Sequence, residues 1–171
     1  ASWMERYTPC VGLIASSDSD DPDDVPEGIA LDITGAAHLL GGEASLLDDC
    51  LRRIRAHGFE AQAAIARTAE CAAAFARFKT NAAIIAQGAE EHATASLPIA
   101  ALGLASRDVI ALARLGLKTV DDLASRPRAP LAARFGRDLL TRLDRVRGIV
   151  DTPISPRRFI PAFITERLFA E

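Results

Sequence analysis

Gly41-Gly-Glu-Ala-Ser-Leu-Leu-Asp-Asp-Cys-Leu-Arg-Arg-Ile-Arg-Ala-His57 is the stretch that decides how this chain folds. Leu46, Leu47, Cys50, Leu51 and Ile54 recur at the spacing of one helix face. Asp48/Arg52 and Asp49/Arg53 stand four apart on the other face, and Gly58 supplies the stop. An amphipathic helix is predicted here, and its apolar stripe needs a layer to lie on. Upstream, an apolar run from Thr8 to Ala15 and a second from Gly28 to Thr34 flank a polar, Pro-containing insert, the pattern of a hairpin. Downstream, Phe59 to Ala66 is apolar enough for a strand, Thr68 to Phe78 for an Ala-rich helix, and Asn81 to Ala86 for another strand. The order ββαβαβ predicts an α+β layer, a mixed sheet covered by two helices.

After Glu90 no strand pattern is convincing. Ser106 to Leu115 reads as a helix with Ser106 as N-cap, Leu115-Gly116-Leu117 as a tight hairpin, and Thr119 to Asp122 as the capping box of a second helix. A third helix is expected from about Leu131 to Arg147, beyond a break at Pro127 to Pro130. The tail from Thr152 reads as extended, a linker or an edge element. Three units are therefore expected: residues 1–92, 93–150 and 151–171.

Composition bounds the function. The chain has 171 residues, 49% hydrophobic and 25% charged, enough to bury about 70% of its unfolded surface in one domain or two small ones, so disorder is excluded as the main state. No apolar stretch approaches the roughly 18 residues a membrane span needs, and Ala1 to Arg6 carries no signal-like apolar region, so a cytoplasmic-type soluble protein is expected. Cys10, Cys50 and Cys71 are odd in number and lack CxxC spacing. Each reads as a small buried hydrophobe rather than a disulfide or zinc ligand. His38, His57 and His92 have no ligand partner at metal spacing, and no phosphate-loop or dinucleotide motif is present. Gly41-Gly42 before a helix can hold a phosphate, but a turn explains it as well. Asp18, Asp20, Asp21, Asp23 and Asp24 suggest calcium, yet Pro22 falls on a ligand position of an EF-hand loop, so a solvated loop is the better reading.

The net charge of −3 hides a gradient. Residues 1–50 hold 11 acids and one base, whereas residues 101–171 hold eight acids and 13 bases, all but one of them arginine. Such a back half suits phosphate contact, with a solvated face of Asp–Arg pairs as the plainer alternative. Leu102-Gly103-Leu104 and Leu115-Gly116-Leu117 each place a glycine between apolar residues at the mouth of a helix. Backbone amides converging there with the helix N-terminus make the helix-hairpin-helix grip on a nucleic-acid phosphate, although simple turns would have the same sequence. The nearby bases favour DNA.

Trp3-x-x-Arg6-Tyr7-Thr8-Pro9, the run from Leu31 to Glu43, Leu97-Pro98, and Leu115 to Ala124 together resemble the Y-family of translesion DNA polymerases, and more narrowly its ImuB group of polymerase-like mutagenesis proteins. The resemblance covers nearly the whole chain. It implies a partial palm at 1–92, a thumb at 93–150, and 151–171 as a linker toward a little finger. The chain then reads as a fragment lacking the N-terminal palm strand, the fingers and the little finger. Active members hold two metal ions with a Ser-x-Asp-Glu run, which falls here on Val25, Glu27 and Gly28, so one carboxylate is lost. The family's triphosphate-binding Asn-Lys and later Lys fall on Thr68, Ala69 and Ala73, all uncharged. Asp32 survives as a palm-strand residue.

The resemblance thus implies a catalytically degenerate scaffold for DNA-damage-induced translesion synthesis in the SOS response, with no catalytic residue, metal or cofactor of its own. Its implied partners are primer–template DNA, a sliding clamp, a DnaE-like error-prone polymerase and the RecA-like ImuA protein, most of them held by regions this chain lacks. The expected DNA contacts are Gly103, Leu104, Arg107, Arg114, Gly116, Leu117 and Lys118, with Arg134, Arg137, Arg142 and Arg145 as an extension along the third helix. Two alternatives stand beside it: an active lesion-bypass polymerase using Glu27, and a protein-only adaptor that never meets DNA.

Overall fold

The computed structural model describes residues 2–14, 27–79 and 82–156. The acidic insert, Val25 and residues 157–171 lie outside them. A 3-10 turn at Ser2–Arg6 leads into strands β1 (Val11–Ile14) and β2 (Gly28–Leu31), which pair antiparallel with Leu13 opposite Ile29. Helix α1 (Glu43–Ala56) follows where the apolar stripe predicts it. Leu46, Leu47, Cys50 and Leu51 are buried, and Asp49 takes both arginines of the outer face. Arg52 therefore pairs one turn back with Asp49 rather than with Asp48, because Asp49 also accepts from Tyr7 at 2.8 Å and is fixed in place.

The chain continues through β3 (Ala64–Ile65), α2 (Ala69–Phe78) and β4 (Ala83–Ile84). The ββαβαβ order is observed, but the single mixed sheet is not. Strands β3 and β4 pair parallel in a sheet of their own, separate from β1–β2. Both are two residues long. Alanine offers too little side chain to extend a ladder, and Phe59, the one large residue upstream, is 68% exposed.

From residue 90 onward the described chain is helical: α3 (Glu90–Thr94), α4 (Ser106–Arg114), α5 (Val120–Ala124), α6 (Arg128–Phe135) and α7 (Arg137–Val146), with a 3-10 turn at Ile99–Leu102. Helix α3 was not legible in the sequence, since only Glu90 and Thr94 of its five residues are buried and neither is apolar. Ser106 is the first helical residue rather than the cap. The left-handed turn at Gly103 sends Leu104 into the core and leaves Ala105 as the extended residue before the helix. The capping box is present as expected: Thr119 accepts from the Asp122 amide, and Asp122 accepts from the Thr119 amide. The expected third helix is two. Gly136, at φ 85° and ψ 166°, takes a conformation open only to glycine, ending α6 and starting α7. Pro130 breaks nothing, because it sits in the first turn of α6, where an N–H has no intrahelical acceptor.

Two apolar clusters hold these elements. The smaller joins Met4, Tyr7, Val11, Leu46 and Cys50 beneath the hairpin. The larger runs from Cys71, Ala74 and Phe75 of α2 through Leu97, Leu112, Val120 and Leu123 to Leu139, Leu143 and Val146. Helix α2 thus packs on α7 in one continuous core that crosses position 92. Cys50 and Cys71 are buried as expected, whereas Cys10 is half-exposed. No helix among the described residues is long and apolar enough to cross a membrane.

Two buried groups in these clusters give the fold an alkaline limit. Burial pushes the Cys71 thiol up to about 12 from an ordinary 9.0. Burial, helped by the Asp49 carboxylate, pushes Tyr7 up to about 12 from 10.0. Both groups ionise first in the unfolded chain, so their contribution to stability is complete below about pH 9 and is lost as the pH rises toward 12. Urea unfolding at about pH 8 and pH 10.5 is expected to differ by about 3 kcal/mol, at about 1.4 kcal/mol per pH unit. An unchanged midpoint would refute the assignment.

Candidate nucleic-acid interface

The two glycine turns share one construction. At each, the residue after the glycine plunges into the core, Leu104 at 8% exposure and Leu117 at 4%, while the glycine takes positive φ, 62° at Gly103 and 80° at Gly116. The strand-like segment before the first turn and the segment after the second are stitched together. Ile99 N–H donates to the Lys118 carbonyl at 3.0 Å, and Val120 N–H donates to the Leu97 carbonyl at 2.9 Å. The turns are therefore rigidly connected parts of one core.

Five of their backbone amides, however, are occupied internally. Gly103 N–H donates to Ala100, Gly116 N–H to Ala113 and Leu117 N–H to Leu112, each near 3.0 Å. The Lys118 and Thr119 amides both donate to the Asp122 carboxylate, at 3.0 and 2.9 Å, and these bonds hold that carboxyl below its usual range. The Gly103 carbonyl accepts from the Arg142 guanidinium at 2.5 Å. What faces outward at this end of the molecule is side-chain charge. Arg107, Arg114 and Lys118 are exposed, with Ile110 between the two arginines one helical turn from each. Among the described residues a long contact to Asp108, at 3.9 Å, is the ion pair drawing on Arg107.

The arginines of the last two helices divide. Arg134 and Arg137 are exposed, Arg134 lying 5.4 Å over the Phe135 ring. Arg142 is held by Asp138 and the Gly103 carbonyl, and Arg145 faces Glu70 at 4.0 Å. The break at Gly136 separates Arg134, on α6, from Arg137, Arg142 and Arg145, on α7, so these four side chains do not form one stripe along a single helix.

The positions that resemblance aligns with polymerase chemistry also have defined surroundings. Glu27 lies beside the first residue of β2 and pairs with the Arg77 guanidinium of α2 at 2.7 Å. Gly28 begins β2 opposite Ile14. Thr68 is 1% exposed. It caps α2 by accepting from the Cys71 amide and donates its hydroxyl to the Arg145 carbonyl at 2.9 Å. Ala69 and Ala73 line a cleft of about 440 Å³ between the hairpin, α2 and α7. Asp32 accepts from Thr34, whose hydrogen bonds hold its carboxyl below the ordinary value. Among the described residues no three His, Cys, Asp or Glu side chains gather as a metal site, and His57 lies against the Trp3 ring. Neither the Glu27–Arg77 pair nor the Arg142–Gly103 bond had a sequence signal, since both join residues far apart in the chain.

Comparison with known proteins agrees with the resemblance. The chain is 42% identical over 156 residues to Protein ImuB of Caulobacter vibrioides, in strains NA1000 and CB 15 alike. The match takes in 91% of this chain and 32% of the relative, so the chain spans about a third of the length of the curated relatives it matches. No family model and no solved structure matches it.

Proposed function

We propose that this chain is the DNA-contacting core of a polymerase-like mutagenesis protein that serves translesion synthesis without itself joining nucleotides. The ion pair between Glu27 and Arg77 carries this reading. The one carboxylate left at the aligned metal-binding run already has an internal guanidinium as its counterion, and its neighbour Gly28 has no side chain to offer. Two bridging metal ions need several carboxylate oxygens with no competing cation, so phosphoryl transfer has no foothold here. Uncharged Thr68, Ala69 and Ala73 leave an incoming triphosphate without neutralising lysines.

In this reading residues 1–92 are a partial palm, 93–150 a thumb, and 151–171 the start of a linker. The thumb holds the DNA backbone. Because the amides of Gly103 and of Gly116 to Thr119 are occupied, contact is made chiefly by the side chains of Arg107, Arg114 and Lys118, while Gly103, Leu104, Gly116 and Leu117 set the turns that present them. A DnaE-like polymerase, a sliding clamp and an ImuA-type protein are the partners that would complete the activity.

The test is fluorescence anisotropy of a labelled primer–template across roughly 25 to 300 mM salt, the range in which phosphate contacts dominate, alongside single-nucleotide incorporation with magnesium or manganese. Weak, sequence-indifferent binding that falls as salt rises, with no incorporation, is expected. Incorporation would make the protein an active lesion-bypass polymerase, and no binding at any salt would leave a protein-only adaptor.

A further inference from the structure

A glycine inside a strand marks either a bulge or a place where something comes close. Gly12 sits in the middle of β1, is buried, and has no positive φ, so its backbone is one that any residue adopts. The close neighbour is the extended segment that leaves α7. A Cβ built on Gly12 would lie 2.5 Å from Ile154 Cγ2 and 3.1 Å from the Ser155 carbonyl oxygen. Two residues earlier, just before β1, the Cys10 thiol donates to the Ile154 carbonyl at 3.8 Å. Thr152 to Ser155 also lines the cleft that Ala69, Ala73 and Arg145 line.

We propose that Gly12 is the seat of a releasable strap: residues Thr152–Ser155 lie across β1, tie the exit of the last helix to the N-terminal hairpin, and close one side of the cleft. The hold is slight by construction. Among the described residues no backbone hydrogen bond joins the segment to β1; the approach of Ile154 and Ser155 to Gly12 and one weak thiol bond from Cys10 hold it there. A strap bound this way opens without disturbing either apolar cluster, and its opening exposes the alanine wall of α2. The glycine exists for the approach alone, since nothing about its conformation requires it.

Cys10 reports the state of the strap. Cys50 and Cys71 are buried, with burial raising both thiols, so they stay protected in the folded chain while Cys10 is half-exposed. The experiment is maleimide labelling of Cys10, located by mass spectrometry, in the unmodified chain, Gly12→Ala, Ile154→Ala and the double variant. Gly12→Ala is expected to label roughly ten-fold faster, because overpacking of one methyl displaces Ile154. Ile154→Ala is expected to label faster too, through loss of its contact. In the double variant the added methyl occupies the space the isoleucine leaves, and the rate is expected to return toward that of the unmodified chain. Additive acceleration in the double variant, or unchanged labelling in both single variants, would overturn the proposal. Should Gly12→Ala fail to fold, Ile154→Ala decides alone: faster Cys10 labelling with unchanged circular dichroism supports the strap, and an unchanged rate removes it.

Discussion

Replacing Arg107, Arg114 and Lys118 together by alanine is expected to weaken duplex binding about 100-fold at about 150 mM salt and to lower the salt slope by about three. Each phosphate contact releases close to one counterion, so three lost contacts at that salt amount to about 3 kcal/mol. In the proposed reading these side chains are the carriers. The amides of Gly103, Gly116, Leu117, Lys118 and Thr119 are spent on Ala100, Ala113, Leu112 and Asp122, whereas the three cations are exposed. Arg107 in particular has its side chain 87% exposed. Arg52→Ala with Arg55→Ala, on α1, is the control and leaves the slope unchanged. A slope that survives the triple variant would move the contact to other exposed cations, Arg126, Arg134 and Arg137 among them.

Gly148→Ala is expected to cost about 4 kcal/mol, for two reasons that add. The residue holds φ 73° just past the end of α7, a conformation that costs an L-residue about 1–2 kcal/mol. Its new Cβ would also lie 2.9 Å from Glu90 Cβ and 3.0 Å from Cγ, and overpacking of this kind costs about 1–3 kcal/mol. Glu90 has little room to yield. It is 4% exposed, its carboxylate accepts from the Gly88 amide at 2.7 Å, and its neighbour Glu91 pairs with Arg147. Gly58→Ala separates the two causes, because Gly58 has φ 83° at the end of α1 with nothing within 4 Å. It is expected to cost only about 1 kcal/mol, near the low end of the conformational penalty. Urea unfolding of the two variants checks this, and equal losses would remove Glu90 from the account.

The elements that the sequence foretold are those whose signal is local. The stripe of α1, the Thr119–Asp122 box, each run of the hairpin strands, and the Ala-rich helix from Thr68 to Phe78 depend on residues within a few positions of one another. The errors are where a local pattern meets a distant demand. A continuous helix from Leu131 satisfies the apolar spacing, but Gly136 lets the chain re-aim so that Leu131 and Leu143 both reach the same core. Ser106 is a good cap by type, yet the burial of Leu104 puts the extended residue at Ala105.

At the candidate site the residue types were legible and their states were not. Glycine between leucines announces a turn before a helix, and a local reading gives those turns free amides. Whether an amide is free depends on the turn that precedes it and on the carboxylate that folds back, here Asp122. The alignment of Glu27 and Gly28 marked a lost carboxylate, but the guanidinium that neutralises the remaining one comes from α2, 50 positions further along the chain. Gly12 was the one missed residue with a usable signal, a glycine in an otherwise apolar strand run.

The sequence by itself therefore determined the order of the elements, the resemblance to polymerase-like mutagenesis proteins, and the absence of charge at Gly28, Ala69 and Ala73. These are properties of residue identity and near spacing, which survive in an unfolded chain. The tertiary structure decided which charges remain outward, which carboxylates are already paired, and that residues 152–155 return to β1. Those depend on groups brought together from opposite ends of the chain, where ion pairing and packing are set by distances that only the folded core fixes.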